Sequence, residues 1–179
     1  RHGNPASPEN GGGIFNQGAL DLTNVTISGN KVSFPARGGG IQNEGPLTLT
    51  NVTISGNTAN IGGGVANNGG AITVLNDVTI SGNTANGGGG VYNYGAAPLA
   101  LAGVTISGNN ANGILNRGTM TLSNSTVSGN TGFFGGGISN EGTALTLTNV
   151  IVTNNSASGG GGIYNASGST LNVTGNTVS

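Results

Sequence analysis

Polar and apolar residues alternate one for one along much of this chain. In Leu47-Thr48-Leu49-Thr50 and Val52-Thr53-Ile54-Ser55 every second side chain is apolar. That is the period of strands with one buried face. No segment shows the 3.6-residue recurrence of an amphipathic helix. The alternating runs are short and end at Gly and Asn, the residues that best tolerate positive φ at chain corners. Three strands recur in each unit, around "GIxN", "LTLT" and "VTIS".

The units repeat. "LTNVTISGN" at Leu22–Asn30 returns letter for letter at Leu49–Asn57. Its closing triplet recurs as Ser28-Gly29-Asn30, Ser55-Gly56-Asn57, Ser81-Gly82-Asn83, Ser107-Gly108-Asn109 and Ser128-Gly129-Asn130. Thr153-Asn154-Asn155 and Thr174-Gly175-Asn176 continue the series, with Asn-to-Asn steps of 27, 26, 26, 21, 25 and 21 residues. A second marker, "GGGIFN" in its first copy, ends at Asn16, Asn43, Asn67, Asn93, Asn116, Asn140 and Asn165. Seven copies of about 25 residues predict an all-β fold, a parallel β-helix of about seven rungs. It forms one domain over 1–179, with seven repeats in 11–179 and an incomplete rung in 1–10, where His2-Gly3-Asn4 takes the "SGN" slot.

Coils of this kind stack equivalent residues about 4.8 Å apart in ladders. The expected inward columns are Leu22, Leu49, Leu75, Leu101, Leu122, Leu147, then Val25, Val52, Val78, Val104, Ser125, Val150, and finally Ile27, Ile54, Ile80, Ile106, Val127, Val152. A corner ladder of hydrogen-bonded amides is expected from Asn30, Asn57, Asn83, Asn109, Asn130, Asn155 and Asn176. Copies three and four carry two extra residues between markers.

Composition narrows the function classes. Gly supplies 38 of 179 residues, charged residues are 5% and the formal net charge is −1. The cations Arg1, Lys31, Arg37 and Arg117 are scattered, so neither nucleic acid nor an anionic membrane finds a basic surface. There is no Cys, and no apolar run reaches the roughly 18 residues of a membrane span. The chain opens on "RHGN" with no Met, which suggests a processed or excised segment.

The "GGGIxN…LTLTNVTISGN" units resemble the right-handed parallel β-helix repeats of bacterial cell-surface and secreted proteins, including polymorphic outer-membrane-type adhesins. The likeness spans nearly the whole chain and implies a right-handed coil placed outside the cell or on its surface. The same coil serves polysaccharide lyases and phage tailspikes, so the fold leaves function open. Enzymes on it use clustered carboxylates, but this chain has only Glu9, Asp21, Glu44, Asp77 and Glu141. Glu44 and Glu141 share a repeat position four rungs apart, about 19 Å, beyond the roughly 10 Å of a glycosidase pair. Arg117 is one rung from Glu141, which predicts a surface ion pair. His2, at the terminus, is not placed as a catalytic base. The Gly runs fit neither a phosphate cradle nor a Ca²⁺-binding nonapeptide repeat. No catalytic residue, cofactor or metal is expected.

Three surface features carry the remaining hypotheses. Thr26/Ser28, Thr53/Ser55, Thr79/Ser81, Thr105/Ser107 and Thr126/Ser128 form five Thr-x-Ser rows, either a water-ordering, ice-binding grid or ordinary solvent-facing positions. Phe15, Tyr92, Leu115 and Tyr164 vary between copies and are either contacts for glycans or a host surface, or residues packed on local turns. The sequons at Asn24, Asn51, Asn124, Asn154, Asn165 and Asn172 are either ladder positions or glycan acceptors. The ends, Asn4 to Phe15 and Tyr164 to Ser179, are in phase, so a copy stacking head to tail on a copy would propagate a filament. The expectation is a non-enzymatic extracellular structural protein that self-associates or forms a surface stalk, with adhesin-type and ice-binding roles as alternatives.

Overall fold

The computed structural model describes residues 11–69 and 73–179. The expected partial rung of 1–10, with His2 and Glu9, lies outside the described residues. Three parallel sheets of seven strands each enclose one apolar interior. Sheet A runs from Ile14–Asn16 to Ile163–Asn165, sheet B from Leu20–Thr23 to Thr170–Thr174, and sheet C from Thr26–Ser28 to Thr177–Val178. Neighbouring strands of a sheet are one repeat apart in sequence, so each repeat makes one turn of a β-solenoid.

Alternation in the sequence becomes alternation between core and surface. The Leu22, Val25 and Ile27 columns stack as the period predicts, and Leu49, Ile54, Leu75, Ile80 and Ile106 are 0% exposed. Two further columns complete the interior. One starts at Ile14 and passes through Ile41, Val65, Val91, Ile114 and Ile138. The other runs Leu20, Leu47, Thr73, Leu99, Met120, Leu145. Each buried Leu or Ile contributes about 1.5–3 kcal/mol, which is how a chain with 4% aromatics acquires a core. The extra residues of copies three and four fall in sequence between the sheet A and sheet B strands, and Leu49, Leu75 and Leu101 keep register.

Three corners per turn use the left-handed region. Asn24, Asn51, Asp77, Gly103, Asn124 and Asn149 join sheet B to sheet C with φ between 49° and 65°. Gly29, Gly56 and Gly82 follow sheet C, with Asn154 (φ 55°) at the same corner in the sixth copy. The third glycine from the end of each Gly run, such as Gly38, Gly62 or Gly88, makes the third corner. The last glycine of the run is needed for a different reason: a Cβ on Gly90 would lie 2.5 Å from the Gly113 carbonyl of the next rung.

One expected ladder position is displaced. Ile151 and Val152 pair with Thr177 and Val178, so Asn176 stands level with Val150, in the Val25 column and not in the corner ladder. Its Oδ1 accepts from the Val150 N–H at 2.6 Å and its Nδ2 donates to the Leu147 carbonyl at 3.0 Å. The final step of 21 residues therefore is not a rung. "TGN" here imitates the corner triplet but aligns with Thr148-Asn149-Val150, because strand pairing, not letter similarity, sets register.

Candidate functional site

The most repeated polar residues form two continuous amide ladders. At the sheet C corner, Asn30, Asn57, Asn83, Asn109, Asn130 and Asn155 pass Nδ2–H to Oδ1 from rung to rung at 2.9–3.0 Å. Each receiving Oδ1 also accepts the main-chain N–H of the previous Asn, as Asn83 does from Asn57 at 2.9 Å. The Asn83 Nδ2 additionally donates to the Ile54 carbonyl at 3.1 Å. A second ladder, not foreseen, runs through Asn16, Asn43, Asn67, Asn93, Asn116, Asn140 and Asn165 at 2.7–3.0 Å. The signal was available, since every copy of the "GGGIxN" marker ends in Asn. The amides of the inner rungs are buried, with Asn30 and Asn155 half-buried and Asn165 exposed at the ladder ends, and all are bonded to one another, so their bonding is cohesive.

The Thr-x-Ser rows occupy the outer side of sheet C in strict register. Thr26, Thr53, Thr79, Thr105 and Thr126 form one column, Ser28, Ser55, Ser81, Ser107 and Ser128 the other. Both columns face solvent on a single parallel sheet. The Thr column is interrupted by Ile151, 47% exposed, and resumes at Thr177.

The four candidate contact residues do not share one environment. All lie on the outer side of sheet A. Phe15 is 44% exposed and Tyr164 is half-buried, but Tyr92 and Leu115 are only 4% and 8% exposed. Tyr92 is covered because Tyr94 folds back and stacks on it, ring centroids 4.7 Å apart, while the Arg117 guanidinium lies over the Tyr92 ring, 5.8 Å from its centroid. Tyr94 reaches across Ala66 to accept a hydrogen bond from Gln42 Nε2 at 3.0 Å. Tyr92 and Leu115 thus pack in a local cluster with Ala66 and are not open contacts.

The carboxylates are dispersed among structural partners. Arg117 Nη2 lies 2.9 Å from Glu141 Oε2 on the surface. Burial works against the charged Arg117, yet hydrogen bonds with Glu141 and Tyr92 outweigh it and raise its pKa. Glu44 accepts from Gln17 Nε2 at 3.1 Å, and Asp77 occupies a left-handed corner. Among the described residues no three His, Cys, Asp or Glu side chains converge as metal ligands. Of the sequon residues, Asn24, Asn51 and Asn124 sit on the sheet B to C corner, where Asn51 Nδ2 donates to Asn24 Oδ1 at 2.6 Å.

A cleft of about 530 Å³ opens beside the fifth rung, between Asn86 below and Phe133 and Phe134 above, with Leu115 in its wall. It exists because the fifth copy reads "NNANG" where its neighbours read "NTANGGGG" and "NTGFFGGG". The residues deleted would have filled the space. Ala111 takes the left-handed corner that Gly88 takes below it, at φ 110°. Asn112 takes the next position and its Nδ2 donates to the Gly135 carbonyl at 2.8 Å and to that of Phe134. The side-chain amide thereby replaces the missing main-chain donors. The sequence clue was the shortened marker "NGILN" and the step of 21 residues to Asn130.

A family model described as a right handed beta helix region matches residues 12–178. No curated protein and no solved structure matches the chain.

Proposed function

That the chain belongs to the right-handed β-helix family is the premise from which we propose a non-enzymatic structural role. In this reading the chain is a stiff β-solenoid segment of the cell exterior, extending lengthwise by stacking like rungs on like, or standing as part of a surface stalk. The observation that carries it is the fate of the repeated residues: Asn, Leu, Val and Ile at every recurring position are consumed in rung-to-rung cohesion. The carboxylates support it too, since Glu141 is held by Arg117 and Glu44 by Gln17. Those two carboxylates stand four rungs, about 19 Å, apart, too far for acid/base work on one bond. Placement at a bacterial surface rests on the resemblance of the repeat units.

Negative-stain electron microscopy over a concentration series tests lengthwise stacking. Fibres one solenoid wide that lengthen with concentration support it. Short separate rods at every concentration overturn self-stacking and leave the stalk. A second reading, ice binding, is favoured by the parallel hydroxyl columns of sheet C. Ice-recrystallisation inhibition that is lost in Thr79→Lys supports that reading, and inactivity of the parent chain removes it. For an adhesin role, Phe15 and Tyr164 are the contacts that stay accessible.

A further inference from the structure

The same tripeptide appears on successive rungs, as Ala85-Asn86-Gly87 and Ala111-Asn112-Gly113, each time in the loop leading from sheet C to sheet A. Asn followed by Gly is the least hindered setting for a main-chain nitrogen to attack a side-chain amide, because the second residue has no Cβ to obstruct the ring that forms. Local sequence being equal, the fold alone sets the two apart.

At Asn112 both reacting groups are held. The residue is 8% exposed, and its Nδ2 is committed to the Gly135 carbonyl at 2.8 Å and to that of Phe134. The attacking nitrogen is committed as well, since the Gly113 N–H donates to the Gly136 carbonyl at 3.0 Å. Asn86 is the reverse. It is exposed and borders the fifth-rung cleft, where water and hydroxide reach it. Its Nδ2 makes one bond, to Asn60 Oδ1 at 2.8 Å on the surface. The Asn60 carbonyl accepts the Asn86 N–H at 2.8 Å, and the Gly87 N–H finds no such acceptor among the described residues. Space is free too, because a Cβ built on Gly87 meets only Leu115 Cδ2, at 3.3 Å. Two neighbours mark the limits. Asn60, one rung down, precedes Ile61, whose branched Cβ shields its nitrogen. Asn68 is exposed, but Gly69 after it is buried, and a Cβ there would lie 3.2 Å from Asn43 Nδ2 and 3.3 Å from Asn67 Oδ1, so ring closure pushes into the amide ladder.

We propose that Asn86 is a site of spontaneous deamidation, which places a carboxylate on the wall of the fifth-rung cleft. The Gly87 nitrogen gives its proton to hydroxide and attacks Asn86 Cγ. The new C–N bond closes a succinimide ring, the Cγ–Nδ2 bond breaks, and ammonia leaves with a proton taken from water. Water then opens the ring at either carbonyl, leaving aspartate or isoaspartate. The sum is one amide and one water converted to one acid and one ammonia, with no change of oxidation state. The ionised product cannot donate to Asn60 Oδ1, and it adds negative charge to a cleft that already holds Glu141.

Peptide mapping by mass spectrometry, on the full chain aged at mildly alkaline pH, is the test. In the folded chain Asn86 is expected to convert at least about tenfold faster than Asn112, and ahead of Asn68. In guanidinium the two identical tripeptides should convert at comparable rates, since burial no longer separates them. The folded rate at Asn86 should rise with hydroxide concentration, and Gly87→Ala should slow it at least about tenfold. Circular dichroism of Gly87→Ala should match the parent, because the added methyl meets one flexible side chain. Isoelectric focusing should show a more acidic band growing in step with conversion. Asn112 or Asn68 converting as fast as Asn86 in the folded chain would overturn the proposal. So would an Asn86 that stays intact through ageing that modifies it in guanidinium, or an unchanged rate in folded Gly87→Ala.

Discussion

A carboxamide both donates and accepts, and it carries no charge. Those properties let Asn, stacked at strand spacing, pass a hydrogen bond from one rung to the next without like-charge repulsion. Asn83 is the fullest case, because its Oδ1 accepts twice from Asn57 while its Nδ2 serves both Ile54 and Asn109. Replacing it with Ala leaves several buried partners unpaired, so Asn83→Ala should cost about 3 kcal/mol in chemical denaturation. The same change at Asn30, on the half-buried first rung, should cost about 1 kcal/mol. Ala111 illustrates the opposite situation, a residue held at φ 110° where its counterparts are glycine. Ala111→Gly is expected to stabilise the chain by about 1 kcal/mol, read as a raised denaturation midpoint.

At the scale of the element, the sheets differ in what their outer sides can do. Sheet C is open and bears hydroxyls, sheet A is largely roofed by Tyr94, Arg117 and the flanking loops, and the Gly runs let successive corners approach closely. Gly64 shows how closely, for a Cβ there would lie 2.6 Å from the Gly90 carbonyl. Gly64→Ala should therefore lower stability by about 1–3 kcal/mol, through displaced backbone, in equilibrium unfolding. By contrast Ile151→Thr completes the hydroxyl column at an exposed position. It should change stability by less than about 0.5 kcal/mol and, if sheet C orders water, increase ice-recrystallisation inhibition.

Over the whole molecule, strand pairing joins each rung to its immediate neighbours, with Tyr94 reaching two rungs to Gln42, so the chain behaves nearly as a one-dimensional stack. Its cohesion is aliphatic and amide-based, with Arg117 and Glu141 forming a surface ion pair. Such pairs contribute at most about 1 kcal/mol and are screened by salt. Unfolding free energy should accordingly move by no more than about 1 kcal/mol between low salt and 1 M NaCl. A stack also communicates damage locally: in Asn83→Ala, amide exchange should quicken most in the rungs adjoining Asn83 and little near Asn140.

Period-two alternation, the recurring markers and the aliphatic columns were enough, without coordinates, to determine a parallel coil of about 25 residues per turn with its core and its corner ladder. They suffice because a solenoid's contacts join equivalent positions, so a one-dimensional repeat already encodes which residues meet. Where the repeat breaks, that logic stops. Asn176 carries the right letters in the wrong register, because backbone pairing of Ile151 with Thr177 overrides the resemblance of "TGN" to "SGN". Tyr92 and Leu115 are covered by side chains from a different column, a contact that no period announces. The fifth-rung cleft arises from a deletion whose meaning depends on what stacks above and below it. Only the tertiary structure decided these, since each is set by neighbours that are distant in sequence and unequal in length.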